Sequence, residues 1–108
     1  MDDCILNLYE TILDRRENPV ENSYTKYLFD KGLDKILKKI GEETAEVVIA
    51  AKNGVKQDTI GEIADLTYHV LVLMAQQGIS PQEVADALNE RHKKSGNLKT
   101  FHKTDKNT

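Results

Sequence analysis

Carboxylates sit on the apolar faces of two stretches of helical periodicity, and this limits what the chain can fold into. The first stretch carries Glu42, Glu43 and Glu46, and the second carries Glu62 and Asp65. Glu43–Glu46 and Glu62–Asp65 are i,i+3 pairs, a spacing that sets both side chains on one side of a helix. At about 100° per residue, Ile36, Ile40, Glu43 and Val47 fall in one stripe with Glu43 at its centre. Glu46 lies on the flank of that stripe, and Glu42 turns toward solvent. On the second stretch Ile63, Leu66, Val70 and Leu73 form the stripe, with Glu62 inside it and Asp65 on its edge. A carboxylate at the centre of an apolar face is costly to bury without a charge partner. Solvated surface charge accounts for a lone pair, and accounts for Glu42 as well as any site does. Two inward pairs call for a cation between them. Oxygen ligands favour Mg²⁺ or Mn²⁺ over Zn²⁺, and a carboxylate-held, otherwise hydrated Mg²⁺ suits the grip on a polyphosphate.

The rest of the chain reads as helical. Ile5, Leu8, Tyr9, Ile12 and Leu13 give a first amphipathic helix, closed by Asn18-Pro19. Ser23 is placed to cap a short segment through Leu28 that Gly32 ends. A long helix is expected from Asp34 to Lys52, stopped at Asn53-Gly54. The next is expected from Asp58 to Gly78. Its C-terminal half (Leu66, then Val70 to Ala75) is apolar nearly all round, which predicts burial on every side. In so small a chain that predicts a helix shared with a second subunit. Ser80-Pro81-Gln82-Glu83 is a capping box with Pro at the first helical position. It predicts a last helix from Pro81 to Lys93 with Val84, Ala85 and Leu88 facing inward. The fold expected is an all-α bundle around two long helices. It occupies residues 1–95 as one domain, followed by a polar, disordered tail over 96–108.

Charge and cysteine content exclude several classes of function. With 108 residues there is room for one core, and the net charge is -3. A nucleic-acid-binding domain is usually basic, so DNA or RNA is not expected as a partner. The single Cys4 leaves no internal disulfide and no multi-cysteine zinc site. The start MDDCILNLYE lacks the basic segment and long apolar run of a signal peptide, and no run is long enough to span a bilayer. A cytoplasmic location is expected.

Phosphate binding also needs cations. Lys39 lies one turn before Glu43 on the same flank as Glu46, and Lys35 lies one turn earlier, so both are candidates to touch phosphate oxygens. Lys38 points elsewhere. Helix salt bridges from Lys39 to Glu43 and from Lys38 to Glu42 explain the same residues without a substrate. His69, one turn beyond Asp65, is either a donor that orients Asp65 or a structural histidine. Gly61 removes a side chain beside Glu62, for close helix packing or for substrate access.

The motif Glu42-Glu43-x-x-Glu46 followed by Glu62-x-x-Asp65 resembles the ExxE…ExxD metal motif of the all-α nucleoside-triphosphate pyrophosphohydrolases. The run SYTKYLFDKGLDKILKKIGEETAEVVIAAKN, then EIADLTYHVLVLM, resembles more narrowly the phosphoribosyl-ATP pyrophosphohydrolases of histidine biosynthesis, over roughly residues 5 to 95. The resemblance implies Mg²⁺-dependent hydrolysis of phosphoribosyl-ATP to phosphoribosyl-AMP and pyrophosphate, the second step of that pathway, by a helical homodimer or larger assembly. It matches Glu43, Glu46, Glu62 and Asp65 to the family's metal ligands. Glu42 matches the family's leading Glu, with a support or water-positioning role, and Glu42, Glu43 and Glu46 are the candidate catalytic residues. Some relatives are fused to a cyclohydrolase; with no room and no cysteines for it, this chain is expected to be the stand-alone pyrophosphohydrolase.

Two other readings remain. One is a house-cleaning pyrophosphohydrolase for non-standard nucleotides, with the same metal site and another base pocket. The other is a non-enzymatic helical interaction module whose acidic pairs are surface charge. No residue has the setting of a covalent nucleophile, so a water is expected to attack the α-phosphorus, oriented by a carboxylate not committed to metal.

Overall fold

A computed structural model describes residues 3–94. They form five helices and no strands: α1 Cys4–Glu17, α2 Tyr24–Lys31, α3 Leu33–Asn53, α4 Lys56–Gln77 and α5 Pro81–Lys93. The expected tail over 96–108 lies outside the described residues. Among the described residues, no helix is long and apolar enough to cross a membrane.

Helix ends follow local chemistry. The Ser23 side chain accepts the Lys26 backbone N–H and starts α2. Ser80 and Glu83 complete the reciprocal capping box of α5, with Pro81 just inside it. α3 stops at Gly54, whose φ of 80° is left-handed, and its N–H bonds the Ala50 and Ala51 carbonyls. Gly78 ends α4 in the same way at φ 73°, with the Ile79 N–H on the Met74 carbonyl at 2.8 Å. The stop at Gly54 leaves almost no connection, so α4 folds straight back along α3, and these two helices make the main packed pair.

The core is Tyr9 and Ile12 from α1, Leu28 from α2, Ile36 from α3, and Leu71, Val72, Met74 and Ala75 from α4. Polar bonds sew α1 to the end of α4. The Tyr9 hydroxyl donates to the Ile79 carbonyl at 2.6 Å, and Arg16 Nη1 donates to the Ala75 carbonyl at 2.6 Å. Ala75 lies in the last turn of α4, where carbonyls run short of partners within the helix, and Ile79 lies just beyond the cap.

Two expectations need correction. The apolar stripe assigned to α4 is buried only in part: Ile63 is 48% exposed, and Leu66, Val70 and Leu73 are partly buried, the last two packed against the core. His69, Leu71, Val72, Met74 and Ala75 are the most buried residues of this helix. A helix apolar nearly all round has no preferred face of its own, so its neighbours choose one. The chain itself covers Leu71, Val72, Met74 and Ala75, the core part of what was expected of this segment. Second, α5 has no buried residue; of the side chains expected to face inward, Val84 is exposed, Leu88 is 61% exposed, and only Ala85 is partly covered. Among the described residues nothing buries its apolar side.

Candidate active site

The return of α4 along α3 brings three carboxylates together. Ligand atoms of Glu43, Glu62 and Asp65 all lie within 4.8 Å of one another. Glu43 comes from the middle of α3, and Glu62 and Asp65 come from the first half of α4, one turn apart. The Glu43 side chain is only 14% exposed. Glu62 is half-covered and Asp65 opens to solvent, so the group sits at a rim and not in a sealed core. Burial pushes the Glu62 carboxyl above its ordinary range, and the negative charges of Glu46, Asp65, Glu43 and Asp58 push it further the same way. Carboxylates gathered this closely repel one another, and an all-oxygen donor set fits a hard divalent cation.

The other expected residues lie around this group. Glu46 is exposed and outside the close trio, though near enough for its charge to act on Glu62. Glu42 is exposed, as the helical spacing predicts, and pairs with Lys39. Lys39 Nζ stands 3.2 Å from Glu42 and 3.8 Å from Glu43, so the salt-bridge reading of this lysine is realised. Its hydrogen bond to Glu42 raises the ammonium above the usual lysine value, against some desolvation. Lys35 lies over the ring of Tyr27, 5.9 Å from the centroid. A Cβ built on Gly61 would meet nothing within 4 Å, so packing inside this chain does not require that glycine.

His69 is buried and holds Asp65 through the backbone, not through the carboxylate. Its Nδ1 is 2.7 Å from the Asp65 carbonyl, which accepts the ring N–H. Its Nε2 is 2.9 Å from the Tyr24 hydroxyl. The Tyr24 ring stacks with Tyr27 and with Tyr68, with centroids at 5.9 and 6.1 Å, and meets His69 edge-on. The Thr25 and Tyr68 hydroxyls share a short hydrogen bond next to it. Burial raises the Tyr24 phenol above its ordinary value; Lys39 opposes this, while Tyr68, Glu43 and Tyr27 add to it, which puts Tyr24 within electrostatic reach of the acidic group. These aromatics were not among the expected site residues. Three of the chain's four tyrosines fall in the two segments that meet here, yet no helical spacing relates positions 24 and 69.

A helical hairpin that gathers carboxylates from both arms, with a lysine and an aromatic wall beside them, is the build of an all-α nucleotide pyrophosphohydrolase. The family model for phosphoribosyl-ATP pyrophosphohydrolase matches residues 6–92. The chain belongs to that family. It is 56% identical over 97 residues to a phosphoribosyl-ATP pyrophosphatase of Clostridium novyi, covering 90% of this chain and 88% of that one. It is 58% identical over 94 residues to a phosphoribosyl-ATP pyrophosphatase of Pelotomaculum thermopropionicum, covering 86% and 96%. A histidine biosynthesis bifunctional protein of Lactococcus lactis is 54% identical over 100 residues, which cover 93% of this chain and 47% of that protein.

Proposed function

We propose that the chain hydrolyses phosphoribosyl-ATP to phosphoribosyl-AMP and pyrophosphate, the second step of histidine biosynthesis, at the rim formed by Glu43, Glu62 and Asp65, and that it does so in the cytoplasm with Mg²⁺ or Mn²⁺. The observation that carries the site is the close approach of three carboxylates from two helices, with the Glu62 carboxyl raised above its ordinary range by burial and by the neighbouring negative charges. Family membership and the relatives' names supply the substrate. Glu43, Glu62 and Asp65 would hold the ion, with Glu46 completing the set through a change of rotamer. When bound, the ion supplies a positive charge against the triphosphate and against charge developing on the leaving pyrophosphate.

The chain's own residues do the rest. Lys39 is poised at the edge of the trio and exchanges its pairing with Glu42 for a phosphate oxygen when substrate arrives. A carboxylate not committed to metal accepts a proton from the water that attacks the α-phosphorus, and Glu42, released from Lys39, helps to position that water. The water's oxygen bonds to that phosphorus, the bridge to pyrophosphate breaks, and the proton passes to the carboxylate. Lys35, with Lys31 on the same Tyr27 ring, extends the positive edge away from the carboxylates.

The working unit is a homodimer. Leu37 and Val48 on α3 and Ile60 and Ile63 on α4 are exposed, and Val48 is 63% exposed. Leu37 and Val48 are about three turns apart, so they lie on one side of α3. Exposed apolar side chains in line on two neighbouring helices fit burial against a second copy. The direct test is release of pyrophosphate from phosphoribosyl-ATP with and without added Mg²⁺, beside a panel of deoxynucleoside triphosphates. Release that needs Mg²⁺ and favours phosphoribosyl-ATP is expected. Equal release without the metal, or preference for the panel, would overturn this assignment.

A further inference from the structure

An exposed tyrosine whose hydroxyl is locked by a buried histidine needs a reason beyond packing. Tyr24 is 44% exposed. Its ring is held by stacking on Tyr27 and on Tyr68 and by an edge contact with His69. The hydrogen-bond directions are determined in sequence. The Asp65 carbonyl can only accept, so His69 Nδ1 carries the proton. In the uncharged ring Nε2 is then an acceptor, and the Tyr24 hydroxyl must donate to it. The Tyr24 oxygen, with its proton committed, keeps only acceptor capacity toward solvent. It cannot serve a phosphate oxygen, which also accepts. It is set for a group that donates.

We infer that Tyr24 is a substrate-binding residue whose oxygen accepts a hydrogen bond from a ribose hydroxyl of the nucleotide, and that His69 is the positioning residue that fixes this acceptor role. The inference rests on the site proposed above. There the acidic trio and Lys39 face the phosphates, and the ribose is joined directly to the α-phosphate under attack. Tyr24 is joined through His69 to the backbone of Asp65, a member of the trio, which sets it beside the phosphates where that sugar would fall. Because ring and hydroxyl are already fixed, little freedom is lost when the sugar docks.

The test is a cycle of two changes, Tyr24→Phe in the protein and removal of the 2′- or 3′-hydroxyl from the adenosine ribose of phosphoribosyl-ATP, read as kcat/KM. Phenylalanine keeps the ring contacts and removes only the hydroxyl. Each single change should cost about two- to tenfold, and for one of the two hydroxyls the double change should cost no more than either alone. Melting temperature and circular dichroism of Tyr24→Phe verify that the fold is kept. His69→Leu should erase the same discrimination between ribose and deoxyribose while Tyr24 remains. Losses that multiply for both hydroxyls, or a Tyr24→Phe enzyme with wild-type discrimination, would overturn the substrate contact. Unchanged discrimination in His69→Leu would overturn the positioning role. If the wild-type protein does not hydrolyse phosphoribosyl-ATP, the parent assignment fails and this one with it; if it does and the cycle is multiplicative, this one fails alone.

Discussion

The Glu43 carboxylate on α3 and the Glu62 carboxylate on α4 come within 4.8 Å of each other, although 19 positions separate them in the chain. Two like charges at this range destabilise a helix pair unless a cation joins them. The fold tolerates that cost, as sites that do chemistry often do.

Neutralising a carboxylate of the trio should therefore abolish turnover without unfolding the chain. Glu43→Gln and Asp65→Asn keep side-chain volume and remove the charge. Pyrophosphate release should fall below detection at millimolar Mg²⁺ while the far-ultraviolet dichroism is kept. Near-normal activity in either variant contradicts the site. Glu42→Gln should retain more activity than either, because its side chain lies outside the trio and faces solvent.

Apo stability should move the other way. The surroundings of Glu62 penalise its charged form, so Glu62→Gln should melt at a higher temperature than wild type in metal-free buffer near neutral pH. Added Mg²⁺ should raise the wild-type melting temperature and move the variant's less. A variant that melts lower than wild type when both are metal-free would show that the trio is not under electrostatic stress. Scanning calorimetry with and without chelator measures both effects.

Lys39 and Lys38 make a matched comparison. Lys39 stands 3.8 Å from Glu43, while Lys38 is exposed on another side of α3. A charge-assisted contact to phosphate is worth about 1.5–3 kcal/mol, so Lys39→Ala should lower kcat/KM on the order of tenfold to a hundredfold. Lys38→Ala should have little effect. Equal behaviour of the two would reduce Lys39 to a helix salt-bridge partner and shift phosphate binding to other cations.

The dimer can be tested at the exposed apolar line. Light scattering at micromolar concentration should give at least twice the 12.2 kDa chain mass. Val48→Glu with Ile63→Glu places charge on both exposed helix faces, and the doubly substituted chain should elute as a folded monomer. A wild-type protein that is monomeric and fully active would remove the second subunit from the account.

Much of the architecture was written locally. Caps at Ser23, Gly54, Gly78 and Ser80 act through neighbouring backbone groups, so they could be placed within a few residues. The ends of the two long helices shifted slightly: α3 begins at Leu33 and α4 at Lys56, each one or two residues before the expected start. The spacing of Glu43, Glu62 and Asp65 likewise foretold carboxylates on a shared helix side. It did not tell Glu46 from the others, because one helical wheel cannot show how two helices cross. The wheel also placed Ile63 in the inward stripe of α4, where apolar side chains surround the axis and Ile63 is left exposed.

The sequence by itself determined five helical segments, their stops, and an excess of carboxylate where two of them would meet, since each depends on residues within a turn or two of one another. Only the tertiary structure decided that Glu43, Glu62 and Asp65 form the close trio, that α5 finds no cover among the described residues, and that Tyr24 is bound through His69 to the Asp65 carbonyl. Those relations join residues up to 45 positions apart. Side-chain periodicity fixes direction around one helix axis, and only the packing of Ile36, Leu28 and Val72 into a shared core sets one axis against another.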